Sequence, residues 1–389
     1  MAIVTGTMEN GRLTAAFHGR IDSTNASQAE AELNELRAAY PGCTTVIDCE
    51  DLDYISSAGL RMILRLRKAD REAAVINAGP ELYEIFEITG FTEMLPVSKA
   101  YRRISVEGCE VIGSGSNGKV YRIDPETIVK VYRNPDSLAD IKHEREVARR
   151  ALILGIPTAI PYDVVRVGNS YGSVFELLNA TSFSTLISSD PENLDHYISL
   201  YVDLLKKIHA AETDDQELPD QRLTAIGWVK WLEPHLPRDQ YEKLLSLVEA
   251  VPPSRHMLHG DYHTKNLMMQ DGEVLLIDMD TLAVGNPVFE FSSIWLAFVG
   301  FGSLDRSAVE SFIGVSIAQA DRIWSETLRL YFGTDDADFL MKKELQCRVV
   351  AYARLLRRTI KRTPENTALI AHCREQLARI LPEMDSIAY

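Results

Sequence analysis

The sequence predicts an α/β protein in two parts: a mixed sheet with helices, then a two-lobed unit with an antiparallel-sheet first lobe and a mostly helical second lobe. Three observations lead there. Residues 1–100 begin with a hairpin pattern and then alternate strand and helix. Residues 108–178 are strand-rich around a glycine loop. From residue 194 the pattern is mostly helical, broken by one acidic hairpin at 257–280. A chain of 389 residues exceeds the usual single domain, so a division is the default.

Composition narrows the classes. With 46% hydrophobic and 25% charged residues, the chain reads as a soluble globular protein. A formal charge of -15 and no basic run argue against a nucleic-acid partner, since phosphates need Lys and Arg to neutralise them. No apolar run of about eighteen residues predicts a membrane span, and the first residues carry no signal-peptide pattern. Five cysteines, scattered and odd in number, fit reduced thiols. A cytoplasmic protein with no membrane partner is the expectation.

In the first part, residues 2–8 and 12–18 alternate apolar and polar as strands do, and Asn10-Gly11 between them is a two-residue hairpin turn. The polar run from Asp22 to Asn25 caps a helix over 26–40, which Pro41-Gly42 stops. Residues 44–49 form a β-branched apolar run, a buried parallel strand. Ser56 and Ser57 precede an amphipathic helix over 58–64. Residues 73–77 predict another strand, and 80–88 another helix.

That element order, with G-R-I-D-S-T-N at 19–25 and D-Y-I-S-S-A-G-L at 53–60, resembles the STAS domain of anti-sigma-factor antagonists. The resemblance covers residues 1–100. It implies a regulatory domain that exchanges protein partners when one Ser at a helix start is phosphorylated. By position, two residues before Gly59, that Ser is Ser57. A helix N-terminus suits a phosphate, because its free N–H groups and dipole favour negative charge. The simpler reading is that Ser56 or Ser57 only caps the helix.

Residues 101–107 are polar and basic and are assigned as the linker to a second domain over 108–389, with its first lobe at 108–178 and its second at 179–389. E-V-I-G-S-G-S-N-G-K-V-Y follows, in which Gly113, Gly115 and Gly118 stand as G-x-G-x-x-G. The flanks on both sides are strand-like, which suits a flap over phosphates; a dinucleotide-binding loop would open a helix. Ser114, Ser116 and Val120 lie on the same flap. The next strand, 127–132, carries a single Lys130 in an apolar run, placed to contact phosphate. Such a Lys needs a carboxylate. In the helix over 137–153, Glu146, sixteen residues after Lys130, best fits the ion pair that the family resemblance given below implies, with Glu144 its rival. Residues 171–178 read as the last strand of the lobe; the family resemblance given below implies a hinge at its end, where Glu176 would offer a carbonyl and Leu178 an amide to adenine.

The hairpin at 257–280 concentrates the chemistry. Asp261 and, five residues on, Asn266 precede a short strand; Asp271-Gly272 makes the turn; the returning strand delivers Asp278 and Asp280. Phosphoryl transfer needs such a set: one carboxylate to take the hydroxyl proton, and an Asn and an Asp to hold Mg²⁺ against the phosphates.

H-G-D-x-x-x-x-N at 259–266 and D-M-D at 278–280 resemble the aminoglycoside phosphotransferases and choline kinases, the small-molecule branch of the kinase superfamily. With the glycine flap and Lys130, four motifs stand in the family's order. The resemblance implies a protein-kinase-like fold, with ATP and Mg²⁺ as cofactors and Asp261 as catalytic base. It makes Asn266 and Asp278 metal ligands, with Asp280 a secondary one. Where the family usually carries an Asp after Gly-x-Pro, this chain has Glu290. The first expectation is an Mg-ATP-dependent phosphotransferase acting on a hydroxyl or amine of a small molecule, regulated by the STAS domain. The alternative is a signalling kinase that phosphorylates a protein Ser, Ser57 itself included. A third reading is a pseudokinase scaffold. Either way, the partners are a nucleotide, an acceptor the sequence does not name, and a protein that docks on the STAS domain.

Overall fold

The computed structural model describes residues 2–115, 118–134, 138–213 and 218–389. The chain forms two compact units, one of Met1–Ser105 with Val165–Gly168, the other of Val106–Val164 with Asn169–Tyr389. Among the described residues no helix is long and apolar enough to cross a membrane.

The first unit opens with strands β1 (Val4–Glu9) and β2 (Arg12–Phe17), paired antiparallel. Asn10 takes a positive φ of 51° at their turn, as a tight hairpin of this hand requires. Leu13, Ala15 and Phe17 alternate into the core. The short β3 (Gly19–Ile21) leads to α1 (Ala26–Ala39) and β4 (Thr44–Asp48), then β5 (Leu52–Ile55), α2 (Ser57–Ala69) and β6 (Ala74–Ala78). Helices α3 (Pro80–Ile88) and α4 (Phe91–Met94) precede β7 (Val97–Lys99) and β8 (Arg103–Ile104). The sheet order is β1-β2-β4-β6-β7, with the last four joined in parallel, and β3 pairs in parallel with β5. The centre of β4, Thr45 to Ile47, is wholly buried, as a parallel strand covered on both faces should be. Strands β3 and β5 are too short to leave an alternation in the sequence, and α2 runs five residues beyond the expected 64.

The second unit begins with β9 (Glu110–Ser114), β10 (Gly118–Arg122) and β11 (Thr127–Tyr132), then α5 (Leu138–Ile153), β12 (Pro161–Val167) and β13 (Ser170–Glu176). Side by side the strands run β12-β13-β11-β10-β9, and β13, β11, β10 and β9 pair antiparallel in turn. The strand β14 (Thr181–Ser182) enters the helical lobe: α6 (Phe183–Ser189), α7 (Leu194–Ala210), α8 (Gln221–Trp231) and α9 (Arg238–Glu249). Helix α8 starts six residues before the 227 read from sequence, because Asp220 caps it by accepting from the backbone of Arg222 and Leu223. Four short strands follow: β15 (Met257–Leu258), β16 (Leu267–Gln270), β17 (Glu273–Leu276) and β18 (Ala283–Val284). Helices α10 (Pro287–Phe298), α11 (Ser307–Ile313), α12 (Ile317–Phe332), α13 (Ala337–Arg362) and α14 (Thr367–Ile380) complete the unit. From Val288 to Phe298 every residue of α10 is buried. Its first turn carries Glu290, which anchors the loop after β15.

Candidate active site

The acidic hairpin forms as its sequence demands. Strands β16 and β17 pair antiparallel around Asp271, which sits at a φ of 50°. The preceding loop is fixed from two sides. Glu290, fully buried in the first turn of α10, accepts from the backbone N–H of His259 (2.5 Å) and of Gly260 (3.0 Å). Thr281 Oγ1 donates to the His259 carbonyl at 2.7 Å. Gly260 holds a φ of 80°, and a Cβ there would lie 2.5 Å from the Thr281 carbonyl oxygen, so only glycine fits. The Glu290 carboxylate thus spans both amides and anchors the loop.

The loop presents Asp261, whose side chain is 43% exposed, with His263 Nε2 at 3.6 Å. Partial enclosure raises the Asp261 pKa, but His263, His259 and Arg354 outweigh it, and the carboxyl stays below its ordinary value. It is ionised, as a proton acceptor must be. Asn266 is buried, and its Nδ2 donates to the Asp261 carbonyl at 3.0 Å, which commits the amide nitrogen and leaves Oδ1 for a ligand.

Asp278 sits at φ 64°, ψ 64°, a left-handed conformation that Asp tolerates better than most residues. Its Oδ1 lies 3.0 Å from Lys130 Nζ. Burial pushes the Asp280 carboxyl up to about 6, with the charges of Asp278 and Asp261 adding to it against Lys130. Asn266, Asp278 and Asp280 offer hard oxygen donors and a surplus of negative charge. Among the described residues no group of three or more His, Cys, Asp or Glu is placed to hold a metal ion, and here one of the three donors is the Asn266 amide oxygen. A few protein oxygens with room for water and phosphate suit Mg²⁺, which keeps much of its hydration, so the residues fit that ion.

Lys130 is the centre of the opposite wall. Its Nζ lies 2.8 Å from Glu144 Oε1, and Tyr132 donates its hydroxyl to Glu144 Oε2. Burial pulls the Lys130 pKa down, but Glu144 and Asp278 more than reverse this, so the ammonium stays charged. Glu146, the partner favoured from sequence, is not the one that meets Lys130: its side chain is 40% exposed and pairs with Arg149 and Arg150, both at 3.2 Å. The reason is helical periodicity. Ile141, Glu144, Val147, Ala148 and Ala151 form the buried stripe of α5. Two residues from Glu144 is about 200° around the helix, on the far face.

Between these walls lies a cleft of about 420 Å³. Gly113, Ser114, Gly115, Gly118 and Val120 line it from the flap, and Lys130 and Glu144 from the sheet and α5. Glu176 and Leu178 line its rim, and Asn266 and Asp278 its floor. Gly118 is required by packing, since a Cβ there would meet the Val131 carbonyl oxygen at 2.1 Å. At the rim the Leu177 N–H is spent on the Glu126 carbonyl (2.7 Å), which leaves Leu178 as the next amide along the wall. Ser116 lies outside the described residues.

Ser57 belongs to the first unit. It is the exposed first residue of α2, with Ser56 as the N-cap. The Ser56 side chain makes no capping bond, so capping does not account for its hydroxyl. Sequence reasoning missed Tyr132, Arg354 and the anchoring contacts of Glu290. Only Tyr132 left a local signal: two residues after Lys130, it falls on the same face of β11.

Comparison with known proteins agrees with these two units. A family model described as the phosphotransferase enzyme family, APH, matches residues 108–321, and a STAS domain model matches residues 8–104. A protein of Bordetella bronchiseptica named as an anti-sigma factor antagonist, BtrV, is 39% identical over 95 residues, 23% of this chain and 81% of that protein. Among solved structures, a thermostable mutant of aminoglycoside phosphotransferase APH(4)-Ia, in ternary complex with ADP and hygromycin B, aligns at a TM-score of 0.50. It is 12% identical, over 72% of this chain and 97% of its own. A second structure of APH(4)-Ia aligns at 0.50 and 14% identity, over 71% of this chain and 96% of its own. At such identities the likeness is one of fold: two lobes of protein-kinase type.

Proposed function

The chain belongs to the phosphotransferase enzyme family over residues 108–321 and carries a STAS domain before it, and from that premise we propose that it moves the γ-phosphoryl group of Mg-ATP to a hydroxyl or amine of a small molecule, under regulation by the STAS domain. The observation that carries the reading is the convergence of Lys130, Asn266 and Asp278 on one cleft, with the ionised Asp261 beside it on the loop that Asn266 holds.

The residues divide the work. The flap from Gly113 to Val120 covers the phosphates, and the rim at Glu176 and Leu178 reads the base. Lys130, held by Glu144, places a positive charge on the phosphates. Asp261 orients the acceptor hydroxyl and takes its proton as the acceptor oxygen bonds to the γ-phosphorus. The bond from that phosphorus to the bridging oxygen breaks, and ADP leaves. Mg²⁺, held by Asn266 and Asp278 with Asp280 in support, would neutralise charge on the phosphate oxygens. That ATP is the donor also accords with the relative whose solved complex holds ADP.

A second reading has its own observation: the exposed Ser57 at the start of α2 is a reachable hydroxyl at a helix N-terminus. On that reading the acceptor is a protein Ser, this one included, and phosphate there changes which partner the STAS domain binds.

Incubating the full chain with Mg-ATP, alone and with a pool of small hydroxyl and amine compounds, tests both. ADP release that rises with the pool, at constant protein mass, supports the first reading. A gain of one phosphate at Ser57 supports the second. Absence of any Asp261-dependent ADP release contradicts the enzyme assignment of these residues.

A further inference from the structure

The acceptor side of Asp261 carries a charge pattern that the nucleotide cleft does not use. Arg354 and Arg358, one turn apart on α13, both act electrostatically on Asp261. Neither lines the nucleotide cleft. Arg354 donates to the Gly260 carbonyl at 3.4 Å and lies over Trp228 at 5.3 Å. Arg358 is exposed and lies over Phe301 at 5.1 Å. A run of contacts joins that residue back to Asp261: Phe301 meets Phe312 at 5.0 Å, Phe312 meets His263 at 5.1 Å, and His263 Nε2 is 3.6 Å from Asp261.

Among the described residues neither arginine forms an ion pair with a carboxylate within 4.0 Å. Apart from Asp261 and the buried Glu290, the charge that acts on Arg354 is that of Arg358, and the charge that acts on Arg358 is that of Arg362. Burial loosens the hold of Arg354 on its proton, with Asp261 opposing it. The pair is thus kept together against mutual repulsion, in a chain whose formal charge is -15. Surplus cations with aromatic walls beside the reacting carboxylate would repel a polycation and attract an anion.

The geometry points to a small acceptor that carries an anionic group, a carboxylate or a phosphate, next to the hydroxyl that is phosphorylated. The anionic group pairs with Arg358 and Arg354, and the rest of the acceptor lies against Phe301 and Trp228. This rests on the proposed transfer at Asp261, and it makes a cationic acceptor the wrong substrate class.

Three compounds of one shape test it by calorimetry on the full chain: phenyl phosphate, benzyl alcohol and benzylammonium. Each is titrated with and without saturating Mg-AMP-PNP, so that a failure of nucleotide binding is read separately from a failure of acceptor preference. Phenyl phosphate should bind roughly tenfold or more tightly than the other two, a difference of one charge-assisted contact. Arg358→Glu should abolish that preference and Arg358→Lys should keep most of it, with thermal unfolding confirming that both variants are folded. A preference for benzylammonium, equal or undetectable binding of all three, or a phenyl phosphate preference that survives Arg358→Glu would each overturn the proposal.

Discussion

Lys130 Nζ and Glu144 Oε1 stand 2.8 Å apart, with only 18% and 6% of their side chains exposed. The pair links β11 to α5, and Tyr132 holds the second oxygen of Glu144. Its test is a comparison with the neighbour that points away. Glu144→Gln should slow transfer by about 10–100-fold, because the ammonium loses its fixed position over the phosphates. Glu146→Gln should stay near wild type, since it breaks only pairs within one helix, made by a side chain that is itself 40% exposed. Steady-state kinetics of ADP release checks both. Equal losses would place the partner of Lys130 wrongly.

Asp261→Asn should leave nucleotide affinity intact and slow transfer by roughly 10²–10⁴, the usual scale for a lost general base. Asp278→Asn should also weaken binding, and only when Mg²⁺ is present. Parallel calorimetry and turnover measurements separate the roles. An Asp278→Asn protein with wild-type affinity in Mg²⁺ removes that residue from the metal site.

Glu290 is predicted to couple stability to pH. Burial raises its pKa, but His209, whose Nε2 lies 3.9 Å away, His259 and the Gly260 N–H outweigh it, so the folded value lies below the ordinary 4.5. A depressed acid stabilises the fold above its unfolded pKa, and that contribution disappears as pH falls through the folded value. Glu290→Ala should cost about 2–5 kcal/mol near neutral pH, since two buried amides lose their acceptor. The loss relative to wild type should shrink below pH 4.5. Denaturant unfolding at several pH values measures this; a pH-independent difference contradicts the charged anchor.

Much of the site's placement was legible because it is local. The spacing of Asp261, Asn266 and Asp278 is set by one hairpin, and both hairpin turns carry their own signals in Asn10-Gly11 and Asp271-Gly272. Lys130 stood out as a lone charge in an apolar strand. Glu144 was misjudged because distance along the chain was weighed above the stripe of Ile141, Val147, Ala148 and Ala151, which decides the inward face. Glu290 and Arg354 were illegible in their contacts. They reach the catalytic loop from 30 and 94 residues away, and no local pattern records which helix end meets which loop. Strands β3 and β5 fell below the length at which period two can be read.

Gly260→Ala should act on geometry without touching charge. The added Cβ meets the Thr281 carbonyl and the φ of 80° becomes strained, so a cost of about 1–3 kcal/mol is expected. Because Asp261 is the next residue, turnover should fall more than nucleotide affinity does. Unchanged turnover in a destabilised protein would show that the loop tolerates the shift.

The central claim is that one cleft, bounded by the glycine flap, Lys130 and Asp278, holds Mg-nucleotide for transfer. Calorimetric titration with ATP, with and without Mg²⁺, on wild type, Lys130→Ala and Asp278→Ala measures it most directly. Wild type should bind ATP more tightly with Mg²⁺; Lys130→Ala should weaken binding in both conditions, and Asp278→Ala should remove the gain from Mg²⁺. Affinities unchanged in both variants would contradict the account.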